Sequence, residues 1–92
     1  MIIHLHKNFK KSYKKLTESQ KNRFKGKRNL FMANEFHPIL NNHALSGEYE
    51  GYRSINITGD LRVLYKRSFS TNKKDGDLVM FVKIDSHSNL YG

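Results

Sequence analysis

The chain has 92 residues, 37% of them hydrophobic, and carries 17 Lys or Arg against 8 Asp or Glu, a net charge of +9 with histidines neutral. That length makes one domain, 1–92, with a thin core that buries only roughly 60–65% of the surface of the unfolded chain. The absence of cysteine excludes disulfide frameworks, thiol nucleophiles and cysteine-based zinc sites, and the charge calls for an anionic partner, nucleic acid first, because each neutralised phosphate releases counterions.

An acidic protein or an anionic membrane surface satisfies the charge as well. The apolar start Met1-Ile2-Ile3 is broken at once by His4, His6 and Lys7, so no signal peptide is expected. Apolar runs fall far short of the ~20 residues that span a bilayer. A protein of a reducing cytoplasm, away from the membrane, is the expectation.

Met1 to His6 reads as a short strand with Ile3 and Leu5 on one face and Ile2, His4 and His6 on the other. From Asn8, an expected N-cap, the period changes: Phe9, Tyr13 and Leu16 form one helical stripe, and Lys10, Lys11, Lys14 and Lys15 cover the remaining surface. Thr17-Glu18-Ser19-Gln20 fits a capping box opening a second helix, which should run to about Glu35 with Phe24, Leu30, Phe31, Ala33 and Phe36 as its apolar residues. Pro38 stops it by forcing His37 out of the α region.

Strands are expected at Tyr49 to Ile57, Leu61 to Phe69 and Leu78 to Ile84. Gly59 is expected to supply positive φ to the first hairpin turn, residues 70–77 form the second loop, and Asp85 to Gly92 form a tail. The order β-α-α-β-β-β argues an α+β fold. Its helical hairpin should pack on one face of a mainly antiparallel four-stranded sheet, leaving the other face as a floor for an extended anionic ligand.

Histidine titrates nearest neutrality and so leads the candidates for proton transfer. His4 and His6 share a strand face, but no third ligand of matching spacing accompanies them, and no metal is expected. His37 reads as a loop residue. His43 and His87 stand at element ends, where a scaffold can present polar groups, yet spacing alone assigns neither a role. Asp60 suits a turn that bonds its own backbone. Arg62 can pair with Asp60 or grip a phosphate bidentately. Arg53 alternates with Ile55 and Ile57, so its stem covers core or its fork faces a ligand.

Five blocks together resemble the RelE superfamily of bacterial toxin–antitoxin ribonucleases, in particular its YafQ-like branch. They are His37-Pro38; His43-x-Leu45-x-Gly47; Gly51-Tyr52-Arg53-Ser54; Ile57-Thr58-Gly59-Asp60-Leu61-Arg62; and Ser86-His87-Ser88-x-Leu90-Tyr91. They span roughly the C-terminal 55 residues, and their joint order is more specific than any one block.

The resemblance implies a RelE-like toxin that enters the ribosome and cuts messenger RNA without a metal or other cofactor, blocked by a cognate antitoxin. In such cleavage the RNA 2′-hydroxyl attacks the adjacent phosphate, and the protein moves protons and stabilises charge. It carries acid–base roles onto His43, Asp60 and His87 as catalytic residues and an aromatic role onto Tyr91, which would stack on or position a base. His87 is then the expected general acid, and His43 or Asp60 the base. Arg53 and Arg62 would stabilise the phosphate, and Lys10, Lys11, Lys14 and Lys15 would bind RNA backbone.

Two departures accompany it. Asn56 stands where relatives often carry a further catalytic histidine, and it cannot exchange a proton near neutral pH. Asp85-Ser86 replaces the usual Gly-Thr. The competing readings are a ParE-like gyrase poison on the same fold, against which the histidine set argues, and a non-catalytic RNA- or ribosome-binding module, which Asn56 favours.

Overall fold

In the computed structural model, which describes residues 1–68 and 78–91, the strands are β1 (Ile2–Leu5), β2 (His43–Ala44), β3 (Arg53–Asn56), β4 (Leu61–Ser68) and β5 (Leu78–Ser86). The helices are α1 (Lys7–Lys14), α2 (Glu18–Ala33) and α3 (His87–Tyr91). The strands form one sheet in the order β1-β5-β4-β3-β2. It is antiparallel except for β1, which lies parallel to β5, a pairing that needs the long intervening connection the helices provide. The α+β class stands, with five strands rather than four. The expected loop over 70–77 lies outside the described residues, as does Phe69.

Local chemistry explains most element ends. Thr17 accepts from the Gln20 amide (3.1 Å) and the Gln20 side chain accepts from the Thr17 amide (2.9 Å), the expected capping box. The cap of α1 is His6, not Asn8: imidazole Nδ1 accepts from the Asn8 amide at 3.0 Å. Helix α2 stops at Ala33, two residues short of expectation. Beyond it Phe36 turns out to solvent, 60% exposed, beneath the Arg53 guanidinium, whose centre lies 5.3 Å from the ring centroid.

The β3–β4 turn also differs from expectation. Gly59 is not left-handed; among the described glycines, positive φ falls at Gly47 and Gly51. Thr58 Oγ1 instead accepts from the amides of Asp60 (3.3 Å) and Leu61 (3.0 Å), closing the turn without a left-handed residue. The strand expected from Tyr49 begins only at Arg53, because a 3-10 turn over Gly47–Tyr49 occupies the preceding stretch.

Helices α1 and α2 bury their apolar stripe on one sheet face. Phe81 of β5 is the hub, its ring centroid 5.8 Å from Phe9, 6.0 Å from Phe24, 5.6 Å from Phe31 and 6.1 Å from Tyr65. Such aromatic pairs contribute about 0.5–1.5 kcal/mol each beyond area burial. The opposite face is not bare. Leu64 and Ser54, turned away from the helices by the register, are buried too, and Leu90 of α3 is buried outside the aromatic cluster. No described helix is long and apolar enough to cross a membrane.

Candidate functional site

Alternation along the strands assigns each candidate residue to a face. Ile55 and Val63 face the helices, so Ser54, Asn56, Arg62 and Leu64 face away. Cross-strand pairing then lines up two rows on that outer face: His43–Ser54–Leu64–Lys83 and Asn56–Arg62–Asp85.

Past the second row, chain reversal brings Asp60 against the start of α3. The His87 amide donates to the Asp60 carbonyl at 2.8 Å and to the Asp60 carboxylate at 3.3 Å. The expected tail is in fact this helical turn. Ser86 Oγ accepts from the Asn89 amide (3.2 Å), and Asp85 Oδ1 accepts from the Ser86 amide (2.8 Å) and from Asn89 Nδ2 (3.0 Å). The hydroxyl at Ser86 thus acts as a cap. Tyr91 ends α3, and its side chain lies outside the described residues.

Arg62 is anchored at one end of its guanidinium: Nη1 donates to the carbonyls of Thr58 (2.9 Å) and Leu61 (3.3 Å). The rest of its fork has no partner among the described residues, so it can still receive an anion. Next to it, Asn56 Oδ1 and Ser54 Oγ are buried without a hydrogen-bond partner among the described residues.

His43 is exposed on β2, its Nδ1 2.8 Å from the Asn41 carbonyl. It stands three strands from β5. Strand spacing therefore separates its backbone from that of His87 by roughly 15–20 Å. On the strands between them, β3 and β4, stand Asn56 and Arg62.

Arg53 lies elsewhere. It pairs with Tyr65 on the helix-facing side, and its Nε donates to Asn42 Oδ1 at 2.8 Å. Asn42 Nδ2 donates to the Tyr65 hydroxyl (2.6 Å) and to the Glu35 carbonyl (3.2 Å). The Tyr65 hydroxyl donates to Glu35 Oε2 (2.8 Å), and Arg67 pairs with the same carboxylate. Burial raises the Tyr65 hydroxyl above the usual phenol range, while the Asn42 hydrogen bond and the Arg53 charge pull it down. Sequence reading missed this network because Glu35, on the expected helix end, carried no periodic signal.

Lys10, Lys11, Lys14 and Lys15 are all exposed at α1. Lys11 and Lys15 border a cleft with Asn8, Ser12 and Lys83. Lys15 also lines a hollow of about 400 Å³ whose far wall includes Thr58, Asp60, Asp85 and Ser86. The lysine ridge therefore runs up to the Asp60–His87 junction. Among the described residues, no three His, Asp or Glu side chains gather as a metal-binding group.

The family described as "Bacterial toxin of type II toxin-antitoxin system, YafQ" matches residues 1–92. The fold is similar to the crystal structure of YafQ from E. coli strain BL21(DE3), with a TM-score of 0.75 at 22% identity, covering 98% of this chain and 97% of that one. It is similar to a chain of the E. coli DinJ-YafQ toxin-antitoxin complex, with a TM-score of 0.72 at 23% identity, covering 98% and 96%. It is also similar to a YoeB/ParE toxin from Agrobacterium tumefaciens, with a TM-score of 0.74 at 19% identity, covering 95% and 99%. At these identities the structural likeness speaks for the fold alone. No curated protein sequence matches the chain.

Proposed function

From the premise that the chain belongs to the YafQ family of bacterial type II toxin–antitoxin toxins, we propose that it is a ribosome-associated endoribonuclease. It cleaves messenger RNA with the RNA's own 2′-hydroxyl as nucleophile, in the cytoplasm, and is neutralised by a cognate antitoxin. The observation that carries this reading is the junction of Asp60 and His87, joined through the His87 amide, with Arg62 two residues beyond Asp60.

His87 is the general acid that protonates the leaving 5′-oxygen. The free part of the Arg62 fork binds the scissile phosphate and offsets the charge that builds on the phosphorane. The base is His43, reaching in from the β2 flank, or Asp60. Asp60 also holds the His87 backbone in place through the His87 amide. Arg53, engaged with Asn42 on the other face, acts by holding the segment before His43 rather than by touching phosphate. Tyr91 stacks on a base, and the α1 lysines bind RNA backbone and set affinity. The antitoxin reading is supported by the DinJ-YafQ complexes of the E. coli relative.

Brief expression in growing cells tests this. The native chain should arrest growth and fragment transcripts, and His87→Ala should do neither; full fragmentation by His87→Ala would refute the assignment.

A second reading, RNA or ribosome binding without cleavage, is favoured by Asn56, whose buried Oδ1 belongs to a side chain that exchanges no proton near neutrality. It requires ribosome binding with intact transcripts.

A further inference from the structure

The imidazole of His43 carries a tautomer constraint. Its Nδ1 lies 2.8 Å from the Asn41 carbonyl, and a carbonyl only accepts, so Nδ1 must hold the hydrogen. In the neutral ring Nε2 is then the bare nitrogen, the one able to take a proton.

That arrangement depends on where the Asn41 carbonyl points. Asn41 is left-handed, with φ 46° and ψ 48°, a conformation asparagine adopts more readily than most non-glycine residues, and its amide donates to the Pro38 carbonyl at 3.1 Å. The next residue supplies the restraint. Asn42 makes three side-chain bonds, to the Glu35 carbonyl, the Tyr65 hydroxyl and the Arg53 guanidinium. Tyr65 is itself fully buried and bonded to the Glu35 carboxylate. The clamp grips the chain one residue before the imidazole.

We propose that Asn42, locked by Tyr65, Glu35 and Arg53, is a positioning residue that sets His43 in its Nδ1–H tautomer and so presents an unprotonated Nε2 on the outer sheet face. It touches no substrate. The link to catalysis rests on the proposed ribonuclease reading; the tautomer itself does not.

The test is two-bond proton–nitrogen correlation of the histidine rings in the full chain, well above the ordinary histidine titration range, with His43→Gln to identify the signals. Native His43 should show the Nδ1–H pattern, and Asn42→Ala should move it to the Nε2–H form that unrestrained histidine prefers. Tyr65→Phe, which keeps the ring packed and removes only the hydroxyl, should shift it the same way, and it decides the matter if Asn42→Ala fails to fold. A native Nε2–H pattern, or a folded variant with an unchanged Nδ1–H pattern, overturns the inference and leaves the ribonuclease reading standing. In a cleavage assay Asn42→Ala should lower kcat by about tenfold with KM unchanged. Absence of cleavage by the native protein would sink the ribonuclease reading and leave the tautomer result intact.

Discussion

The His87 amide donates to both the main-chain carbonyl and the carboxylate of Asp60, at 2.8 and 3.3 Å, although the two residues stand 27 positions apart. A turn between β3 and β4 and the first residue of α3 are thereby fixed as one unit. The Asp60 carboxylate is held against the backbone of His87, with Arg62 two residues beyond it.

Asp60→Asn isolates charge from geometry. The amide oxygen can still accept from the His87 amide, and the site is exposed, so melting should change little. Cleavage should fall about a hundredfold, within the usual range for a lost acid–base or charge-stabilising group. Parallel thermal melts and transcript cleavage check it.

Ser86→Ala removes the cap of α3 and should cost about 1 kcal/mol, measured by denaturant unfolding. Because α3 begins at His87, cleavage should drop as well. Ser86→Thr, which restores the hydroxyl, should recover both.

Tyr65→Phe deprives the buried Glu35 carboxylate and Asn42 of a partner and should cost about 1–3 kcal/mol. The pH dependence has a definite sign. Burial raises the folded-state pKa of Tyr65 above its unfolded value near 10.0. The resulting stability is fully present below the unfolded pKa and is lost as pH rises through the folded one. Denaturation at increasing alkaline pH should show that loss in the native chain and not in Tyr65→Phe.

Phe81→Ala empties the hub of the aromatic core and should destabilise the fold by about 3–5 kcal/mol, a large share of the stability of a domain this size. Equilibrium denaturation measures it directly.

Gln replacements at Lys10, Lys11, Lys14 and Lys15 should weaken RNA binding and flatten its salt dependence. For single-stranded RNA the log–log slope should fall by about 0.7 for each phosphate that is no longer neutralised, with kcat on bound RNA unchanged.

Signals confined to a few consecutive residues were readable. The Thr17 capping box needs only Thr17 and Gln20, and the stripe of Phe9, Tyr13 and Leu16 needs only helical spacing. Elements that depend on remote partners were not. Helix α3 forms where Asp60, far back in the chain, receives its first amide, and nothing in 85–92 read by itself separates that from a tail. The burial of Glu35 likewise requires Tyr65 and Arg67, far downstream in β4. At the site, the resemblance supplied the candidate positions, but not their faces. Arg53 and Arg62 look equivalent in sequence, whereas strand register turns one toward the helices and the other toward the open surface. His6 capped α1 in place of Asn8 because an imidazole nitrogen accepts an amide proton as well as a carboxamide does.

The most direct measurement is end-group analysis of transcripts cut in ribosome-programmed reactions by the native chain and by His87→Ala. Attack by the 2′-hydroxyl with proton donation to the departing oxygen yields a 2′,3′-cyclic phosphate upstream and a 5′-hydroxyl downstream, and the native chain should produce both while His87→Ala produces neither. Fragments ending in a 3′-hydroxyl and a 5′-phosphate, or intact transcripts beside arrested growth, would contradict the account.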